Sequence, residues 1–360
     1  MLSLESARAA VLVEPQHFSQ TLLPIQPMET GGWLAVEATG LSGADVQTWR
    51  GDLRGITYPI IPGQQVVGRI ASWSDDSIPF EVGTRVVVEP LIRCGTCRRC
   101  SNGLASCTRR RPANVYGLLP STEPPGLWGG LAEYLYLDPH ARLHPVSDDI
   151  SAPMATFAHH LAAGRTWAVE LPHLSADANL LILGPGPRGL ACLFAAQEAG
   201  AGWIGVSGLD VDGDRLAMAR QIGAHMTVDA TREDVGSAVA HSLGSRPDIV
   251  VDATSDDPEA IHTALDVVRP GGVVVLASTK GGRTIGQFIS DVIVEKQLTL
   301  VGARGASTAA YEWATKELER DSRIDQMVSH EFPVDEASRA IQAAAGLLGH
   351  EELISVAVTF

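Results

Sequence analysis

The sequence predicts a two-domain α/β protein that combines a mostly β half with a doubly wound parallel sheet. Three observations carry this prediction. The chain has 360 residues, which is long for a single hydrophobic core. Residues from about 10 to 145 form short apolar or alternating runs between turn residues. From about residue 150, helix-like stretches alternate with short apolar strands, which is typical of a parallel sheet covered by helices.

The predicted strands of the first half are "GWLAVEATGL", "VVGRIASW", "GTRVVVEPL" and "LAEYLYL". In the second half, "NLLILG", "WIGVSG", "DIVVDAT", "GGVVVLAS" and "LTLVGA" alternate with helical stretches such as "GLACLFAAQEAGA". The tail returns to helix and ends on the strand "LISVAVTF". We therefore expect one domain from residues 1–160 together with 304–360, and a second domain from residues 161–303.

The composition excludes several classes of function. The chain has 27 Lys and Arg against 42 Asp and Glu, a formal net charge of −15. An acidic protein repels phosphate backbones, so nucleic-acid binding is not expected. No apolar run approaches the roughly 20 residues of a membrane-spanning helix, and the N-terminus lacks the layout of a signal peptide. These features predict a soluble, cytoplasmic protein.

A glycine motif follows the first strand of the second half. "NLLILGPGPRGLACLF" contains Gly184, Gly186 and Gly189 in the spacing G-x-G-x-x-G, between an apolar strand and an apolar helix. The first glycine allows a tight turn, the second lets a pyrophosphate approach the backbone, and the third allows close helix packing. The helix begins at Pro187 and Arg188, and its N-terminus offers free N–H groups to phosphates. This context predicts a dinucleotide site.

The tip of the next strand, "WIGVSG", leaves the choice between NAD and NADP open. An acid at this point would accept the ribose 2′-hydroxyl of NAD. The sequence instead has Ser207 and Gly208 there, with Asp210 two residues further on and Arg215 opening the next helix. Because no acid stands at the strand tip itself, a 2′-phosphate could be accommodated there, whereas the nearby Asp210 would repel one.

Four of the five cysteines lie in one window, "RCGTCRRCSNGLASC". Cys94, Cys97, Cys100 and Cys107 are spaced closely enough to surround one tetrahedral zinc ion. A site closed by four thiolates has no open coordination position, so we expect a structural zinc in a lobe of about residues 93–108. Cys192 lies inside an apolar helix and is interpreted as core packing.

Taken together, these blocks resemble the medium-chain dehydrogenase/reductase superfamily, on its zinc-type alcohol/polyol dehydrogenase branch. The resemblance covers nearly the whole chain and implies a GroES-like catalytic domain, a Rossmann domain, nicotinamide-dependent hydride transfer on a small-molecule substrate, and dimers or tetramers. The blocks "DIVVDAT", "VVRPGGVVVLAS" and "LTLVGARGAS" add further positions at the cofactor by this resemblance, namely Ala253, Ala277, Ser278 and Ala303.

The resemblance fails at the active site. Where the family has Cys-Gly-Ser/Thr-Asp, which supplies a zinc thiolate and a relay hydroxyl, this chain has Ser42-Gly43-Ala44-Asp45. Where the family has Gly-His-Glu, the stretch "IPGQQVVGRI" has Gly63 followed by Gln64 and Gln65. The third ligand position falls at His159 or His160. Neutral hydroxyl and amide groups are weak ligands for zinc, so we expect the catalytic zinc to be absent.

A second departure concerns the pyrophosphate. The family often has Arg or Lys near the C-terminal strand, and this chain has Ser355 there. Arg188 in the glycine loop is the residue that would compensate.

Three functions remain open. The first is a zinc-independent reductase of a C=C bond conjugated to a carbonyl, or of a C=N bond, which needs orientation and one proton or hydrogen-bond donor. The second is an alcohol dehydrogenase that keeps zinc through an atypical ligand set. The third is a redox-silent relative that uses the old cleft for binding or non-redox chemistry. The candidate donors for the first function are Gln64, Gln65, His159, His160, Tyr58 and Tyr116.

Overall fold

The computed structural model describes residues 6–74, 78–101, 107, 115–255, 257–349 and 353–360. The chain divides into two compact units. The first comprises Met1–His159 with Tyr311–Phe360, and the second comprises His160–Ala310. The chain returns from the second unit to the first between Ala310 and Tyr311, inside the helix Thr308–Arg320. The boundary predicted from the sequence, between residues 303 and 304, lies just after the last strand of the second unit.

The first unit is built mostly on antiparallel strands, with one parallel pair, β14 and β15. Strands β1 and β2 form a two-stranded sheet, and a seven-stranded sheet has the order β14-β15-β3-β4-β5-β7, with β6 paired to β3. Its core clusters around Leu34, Ile60, Tyr116, Leu127 and Ile341, all of them buried. The strands are β1 (Ser6–Glu14), β2 (His17–Pro24), β3 (Gly32–Leu41), β4 (Gln65–Trp73), β5 (Arg85–Val88), β6 (Tyr134–Leu137), β7 (Leu143–Pro145), β14 (His330–Pro333) and β15 (Val356–Thr359).

The second unit contains a six-stranded parallel sheet in the order β10-β9-β8-β11-β12-β13. The first and fourth strands of this unit in chain order are neighbours, so the strand order reverses between them; in doubly wound folds a dinucleotide binds at this point. The central strands are apolar throughout because helices cover both faces of such a sheet. The strands are β8 (Asn179–Leu183), β9 (Trp203–Gly208), β10 (Met226–Asp229), β11 (Ile249–Asp252), β12 (Val273–Leu276) and β13 (Thr299–Gly302).

Local capping signals explain several helix ends. The side chain of Asp234 accepts a hydrogen bond from the Ser237 N–H at the start of one helix, and Gly244 ends that helix with a φ of +73°. The α-helices are α1 (Gly43–Arg50), α2 (Arg98–Ser101), α3 (Ala152–Ala155), α4 (Ala158–Arg165), α5 (Pro187–Glu198), α6 (Gly213–Ile222), α7 (Val235–Leu243), α8 (Ala260–Val267), α9 (Asp291–Glu295), α10 (Thr308–Arg320) and α11 (Ala337–Ala344). Short 3₁₀ helices cover Asp210–Asp212, Ser322–Gln326 and Val334–Glu336, and a π-helix covers Thr166–Glu170.

The predicted fold class is confirmed: a mostly antiparallel GroES-like unit and a doubly wound Rossmann unit. Among the described residues, no helix is long and apolar enough to cross a bilayer.

Candidate active site

The glycine loop has the shape that a pyrophosphate requires. Gly184 ends β8 with a φ of +95°, which favours glycine. A Cβ atom at Gly189 would lie 1.9 Å from the Gly184 carbonyl oxygen, so helix α5 packs directly on the turn. A Cβ atom at Gly186 would meet nothing within 4 Å. The loop is therefore closed on its protein side and open at Gly186, beside the N-terminus of α5.

The other predicted cofactor residues lie at the carboxyl ends of the parallel strands. Four backbone N–H···O=C hydrogen bonds, each 2.9 Å long, connect the ends of neighbouring strands. In donor-to-acceptor order they are Gly184 to Ser207, Ala253 to Leu183, Ala277 to Asp252 and Ala303 to Leu276. Ser278 donates to the Ala253 carbonyl at 3.3 Å. Because these ends share one edge of the sheet, the predicted residues Gly184, Ser207, Gly208, Ala253, Ala277, Ser278 and Ala303 line a single edge.

Near the glycine loop, Arg188 lies over the ring of Trp167, 5.2 Å from its centroid. Ser355, at the position where the family often has a basic residue, is buried in the first unit and donates to the Met327 carbonyl at 2.5 Å. Neither contact involves the loop backbone.

The end of β9 carries an acid that the sequence reasoning missed. The chain folds back after Gly208 so that a Cβ atom at Gly208 would lie 3.1 Å from the Cβ of Asp212. The Asp212 carboxylate accepts from the Leu209 N–H at 3.0 Å and from Arg215 at 3.2 Å. Asp210 instead accepts from the N–H of Val211. Asp212 is thus the carboxylate beside the strand tip, although it stands four residues after that tip.

A buried lysine stabilises the loop that contacts Gly184. Lys280 Nζ lies 2.9 Å from the Asp252 carboxylate, and it donates to the Thr254 carbonyl at 2.6 Å and to the Thr254 hydroxyl at 2.8 Å. Thr254 is in turn the residue that a Cβ atom at Gly184 would touch, at 3.0 Å. Nothing in the sequence pattern marks this lysine, because its partners precede it by more than 25 residues.

The cysteine cluster in the first unit has the geometry of a zinc site. The Sγ atoms of Cys94, Cys97, Cys100 and Cys107 all lie within 4.8 Å of one another. Cys97 Sγ is 3.4 Å from Cys100 Sγ and 4.0 Å from Cys107 Sγ. Sulfur atoms at the corners of a tetrahedron around zinc stand about 3.8 Å apart, given the usual Zn–S length. The four thiols therefore fit one zinc ion. Residues 102–106 and 108 of the predicted lobe lie outside the described residues.

Ser42 begins helix α1 and is held by Asp45. The Asp45 carboxylate accepts from the Ser42 N–H at 2.9 Å, from the Ser42 hydroxyl at 2.7 Å and from the Gly63 N–H at 3.0 Å. Asp45 has no solvent exposure. Its carboxylate is therefore satisfied by these hydrogen-bond donors, and it ties the start of α1 to the turn that contains Gly63.

The two glutamines differ in their surroundings. Gln65 is the first residue of β4, and it is buried. A Cβ atom placed at Gly40 would lie 2.4 Å from the Gln65 Oε1 atom. The same Cβ atom would lie 3.1 Å from the hydroxyl of Thr156. The Nε2 atom of Gln64 is buried and has no hydrogen-bond partner among the residues that the structure describes. Thr156, which the sequence reasoning missed, therefore lies with Gln65 beside Gly40.

The two histidines of "FAHHLAAG" lie in different units. His159 is 5% exposed, and its Nδ1 atom is 3.1 Å from the hydroxyl of Tyr311. His160 is buried in the second unit. His159 therefore belongs to the unit that contains Ser42, Gln64 and Gln65.

The candidate tyrosines have structural partners. Tyr58 donates to the Thr48 carbonyl at 2.5 Å. Burial, with a contribution from the charge of Asp52, raises the pKa of Tyr58 above its ordinary value. Tyr116 is fully buried, and its hydroxyl accepts from the Asp138 N–H at 2.9 Å. Both hydroxyls connect segments of the first unit.

Two of the residues at the family's metal-ligand positions are weak ligands for zinc. Ser42 offers a hydroxyl and Gln64 an amide, whereas zinc in proteins is held by thiolate, imidazole or carboxylate. The third position, at His159 or His160, offers an imidazole. Among the described residues, no group of three or more His, Cys, Asp or Glu side chains other than the four cysteines brings its ligand atoms together.

Comparisons with known proteins place the chain in a family. Residues 32–148 match the alcohol dehydrogenase GroES-like domain, and residues 187–320 match the zinc-binding dehydrogenase domain. A probable alcohol dehydrogenase of Mycobacterium tuberculosis is 37% identical over 89% of this chain and 85% of its own length. The chain therefore belongs to the zinc-type alcohol dehydrogenase branch of the medium-chain dehydrogenase/reductase superfamily, and it is an NAD(P)-dependent oxidoreductase.

Solved structures share the fold. An alcohol dehydrogenase from Thermotoga maritima has a TM-score of 0.87 at 23% identity, over 98% of this chain and 99% of the other. An Escherichia coli CFT073 protein described as a short chain alcohol dehydrogenase, complexed with the cofactor NADH, has a TM-score of 0.84 at 21% identity. That alignment covers 99% of this chain and all of the other.

Proposed function

We propose that this protein is a reductase of a C=C bond conjugated to a carbonyl, or of a C=N bond, in a small molecule, and that it works without a catalytic zinc. The observation that carries the proposal is the set of side chains at the family's metal position. A hydroxyl already bonded to Asp45 and an amide replace the thiolate and imidazole. Without a Lewis acid, oxidation of an ordinary alcohol loses several kcal/mol of transition-state stabilisation.

The remaining chemistry suits an electrophile that is already activated. When bound, the dinucleotide supplies a hydride. The electrophilic carbon of the substrate gains a C–H bond, its π electrons move to the conjugated oxygen or to the nitrogen, and one proton from the protein completes the reduction. The buried Nε2–H of Gln64, which has no partner in the described part of the chain, can donate to the carbonyl oxygen as charge develops there.

The proposed cofactor is NADH in preference to NADPH. The Asp212 carboxylate lies beside the tip of β9, where an acid accepts the 2′-hydroxyl and repels a 2′-phosphate. Replacing Asp212 with Ser should raise the affinity for NADPH at least about tenfold and lower that for NADH, as measured by cofactor fluorescence. Asp214→Ser, on the exposed start of α6, is the matched control. If the ratio of the NADH and NADPH affinities were the same in Asp212→Ser as in the wild type, the assignment of Asp212 would be overturned.

A conventional zinc-dependent alcohol dehydrogenase is the second candidate. The specific observation in its favour is the name of the 37% identical relative, a probable alcohol dehydrogenase. In that case His159 or His160 would help to hold a second zinc ion, in addition to the structural zinc at the four cysteines.

Metal analysis combined with activity separates the two candidates. Protein purified without chelators should contain about one zinc per chain, and it should reduce a panel of enones or cyclic imines with NADH. About two zinc ions per chain, with alcohol oxidation that is lost when the second ion is removed, would establish the alternative. Failure to bind either NADH or NADPH would leave the third reading, a redox-silent protein.

We also propose that the protein is a homodimer or homotetramer. Strand β13 is the edge of the parallel sheet, and its residues are largely exposed, with Leu300 at 37% exposure. An open edge of this kind pairs readily with a second copy of itself. Sedimentation velocity gives the stoichiometry, and a monomer at micromolar concentration would contradict the proposal.

A further inference from the structure

A fully buried acid ends the strand that lies beside the glycine loop. Asp252 is the last residue of β11, and its side chain has no solvent exposure. In the parallel sheet it stands opposite Leu183, the residue just before Gly184, and opposite Leu276 on its other side. Neighbouring strands are about 4.8 Å apart. A carboxylate is therefore built into the edge of the sheet at which a negatively charged dinucleotide binds in this fold.

The ammonium group of Lys280 lies against this carboxylate. Its Nζ atom is 2.9 Å from Oδ2 of Asp252 and 3.0 Å from Oδ1. The lysine side chain is 9% exposed. Charges with so little contact with solvent are screened weakly by salt, and removal of one partner leaves the other uncompensated. The ion pair therefore makes this strand end neutral overall.

Thr254 fixes both charged groups in place. Its N–H and its hydroxyl donate to Oδ1 of Asp252 at 3.0 Å and 2.6 Å. Its carbonyl and its hydroxyl accept from Lys280 at 2.6 Å and 2.8 Å. A Cβ atom at Gly184 would lie 3.0 Å from the Thr254 side chain. The ion pair is thus separated from the glycine loop by a single residue.

The loop that carries Lys280 has a second attachment to the end of β11. The Ser278 hydroxyl donates to the Ala253 carbonyl at 3.3 Å. This hydrogen bond does not involve the ammonium group, so it remains when the charge of Lys280 is removed. The charge of Lys280 and the attachment of its loop can therefore be tested separately.

We propose that Lys280 determines the affinity for the dinucleotide by cancelling the charge of Asp252 beside the glycine loop. The pyrophosphate of NADH is negatively charged. Two like charges about 10 Å apart, at an effective dielectric constant of about 20, repel each other enough to lower affinity on the order of tenfold. Lys280 acts through Asp252 and is a positioning residue. The proposal rests on dinucleotide binding, which the proposed reductase and the alternative dehydrogenase share.

Binding titrations test the charge effect. They use NADH, or NADPH where the wild type binds it more tightly, at about pH 8.5, between the ordinary pKa values of carboxyl and ammonium groups. Lys280→Met should raise the Kd at least about tenfold, because the carboxylate is left uncompensated. Asp252→Asn/Lys280→Met lacks both charges and should bind within about threefold of the wild type. Asp252→Asn keeps an acceptor oxygen for Thr254 and should bind at least as tightly as the wild type.

Lys296→Met is the matched control. Lys296 is a half-buried lysine of the same unit, and it donates to the carbonyls of Leu265 and Asp266 at 2.8 Å and 2.6 Å. These carbonyls are at the C-terminal end of α8, which precedes β12, so the lysine lies toward the amino ends of the strands. Its replacement should lower the melting temperature but change the Kd by less than about twofold.

The order of the affinities distinguishes a charge effect from a loss of structure. Differential scanning fluorimetry first establishes that each variant is folded. If Lys280→Met does not fold, Asp252→Asn is compared with the double variant, and it should bind at least as tightly because it keeps the cation. Wild-type affinity in Lys280→Met, a double variant as weak as Lys280→Met, or tighter binding by the double variant than by Asp252→Asn would overturn the proposal.

The proposed function can fail separately. A protein that oxidises only alcohols and carries a second zinc ion would refute the reductase proposal and leave this order of affinities unchanged. If the wild type bound neither NADH nor NADPH, the dinucleotide site itself would be wrong, and the role of Lys280 with it.

Discussion

The Ser42 hydroxyl donates to Asp45, and the same carboxylate accepts from the N–H groups of Ser42 and Gly63. Three charge-assisted hydrogen bonds to one buried carboxylate are strong and directional. They hold the start of α1 against the turn before β4, so the local structure at the family's metal position is stable through hydrogen bonds among these three residues.

Restoring the family's ligands should restore metal binding if Ser42 and Gln64 occupy those positions. The variant Ser42→Cys/Gln64→His/Gln65→Glu should contain about two zinc ions per chain, because thiolate and imidazole replace weak hydroxyl and amide donors. Inductively coupled plasma mass spectrometry measures the ratio. Ser42→Cys alone, the matched control, should stay near one ion, and a triple variant that also stays there would refute the alignment of these motifs.

Cys192 provides a test of burial at a single thiol. Complete burial raises the pKa of Cys192 to about 12, against a smaller opposing influence from Arg188. The reactive species is the thiolate, so at pH 8, and even near pH 10, native Cys192 should stay protonated and unmodified. After chelation of zinc, a thiol reagent should titrate four cysteines in native protein and five in denaturant. Cys192→Ala should give four in both conditions, and rapid native labelling of Cys192 would contradict the assignment.

Single residues also show where sequence reasoning ends. Motif spacing was sufficient to single out Ser42, Gln64 and Gln65, because each lies within two positions of a motif glycine, Gly43 or Gly63. Tyr311 could not be found in this way, since it is 152 residues from His159 and joins it only through the packing of two helices. Thr156 was missed because it lies just before "FAHHLAAG", between two helices, where no motif marks it.

At the scale of elements, two glycines of the same motif, Gly186 and Gly189, have different roles. Gly186 has an ordinary φ of −60° and open space around its Cβ position, whereas a Cβ atom at Gly189 would lie 1.9 Å from the Gly184 carbonyl oxygen. Gly186 is therefore kept free for the ligand, and Gly189 is required by the packing of α5 on the turn.

Substitutions should separate these roles. Gly186→Ala should fold with nearly unchanged thermal stability but bind NADH at least about tenfold more weakly, because the methyl group occupies the space that the pyrophosphate needs. Gly189→Ala should lose about 1–3 kcal/mol of stability through overpacking. Differential scanning fluorimetry and NADH titration measure the two effects. Gly213→Ala, also at an open position, is the control, and equal NADH affinity in Gly186→Ala and the wild type would contradict the assignment.

The strand tips show both the success and the limit of pattern reading. The alternation of strands and helices predicted the parallel sheet, because a buried strand between helices must be apolar on both faces. The same pattern left the cofactor preference open at Ser207 and Gly208. The fold-back that brings Asp212 to Gly208 depends on a 3₁₀ turn at Asp210–Asp212, and a short turn of this kind has no periodicity to read.

At the scale of the whole molecule, the two proposed ligand sites belong to different units. The four cysteines lie in the first unit, and the glycine loop with its strand ends lies in the second. Each unit has its own hydrophobic core, one around Leu34 and Ile60 and the other around Leu181 and Val250. The sequence pattern predicts two domains, because short strands give way to alternating strands and helices near residue 150. The position inside α10 at which the chain returns to the first unit could not be predicted, since a continuous helix carries no boundary signal.

Separate cores predict separate responses to metal removal. Dialysis against a strong chelator should remove about one zinc ion per chain and weaken the first unit, because a structural zinc contributes folding free energy directly. Hydrogen exchange should then rise in the segment from β5 to α2, while residues 179–303 keep their protection and NADH still binds with near wild-type affinity. Chelator-treated Cys192→Ala should behave like the wild type, because that thiol lies outside the cluster. Loss of NADH binding together with protection across residues 179–303 would mean that the two units fold as one cooperative body, and the assignment of the cluster to the first unit alone would then be wrong.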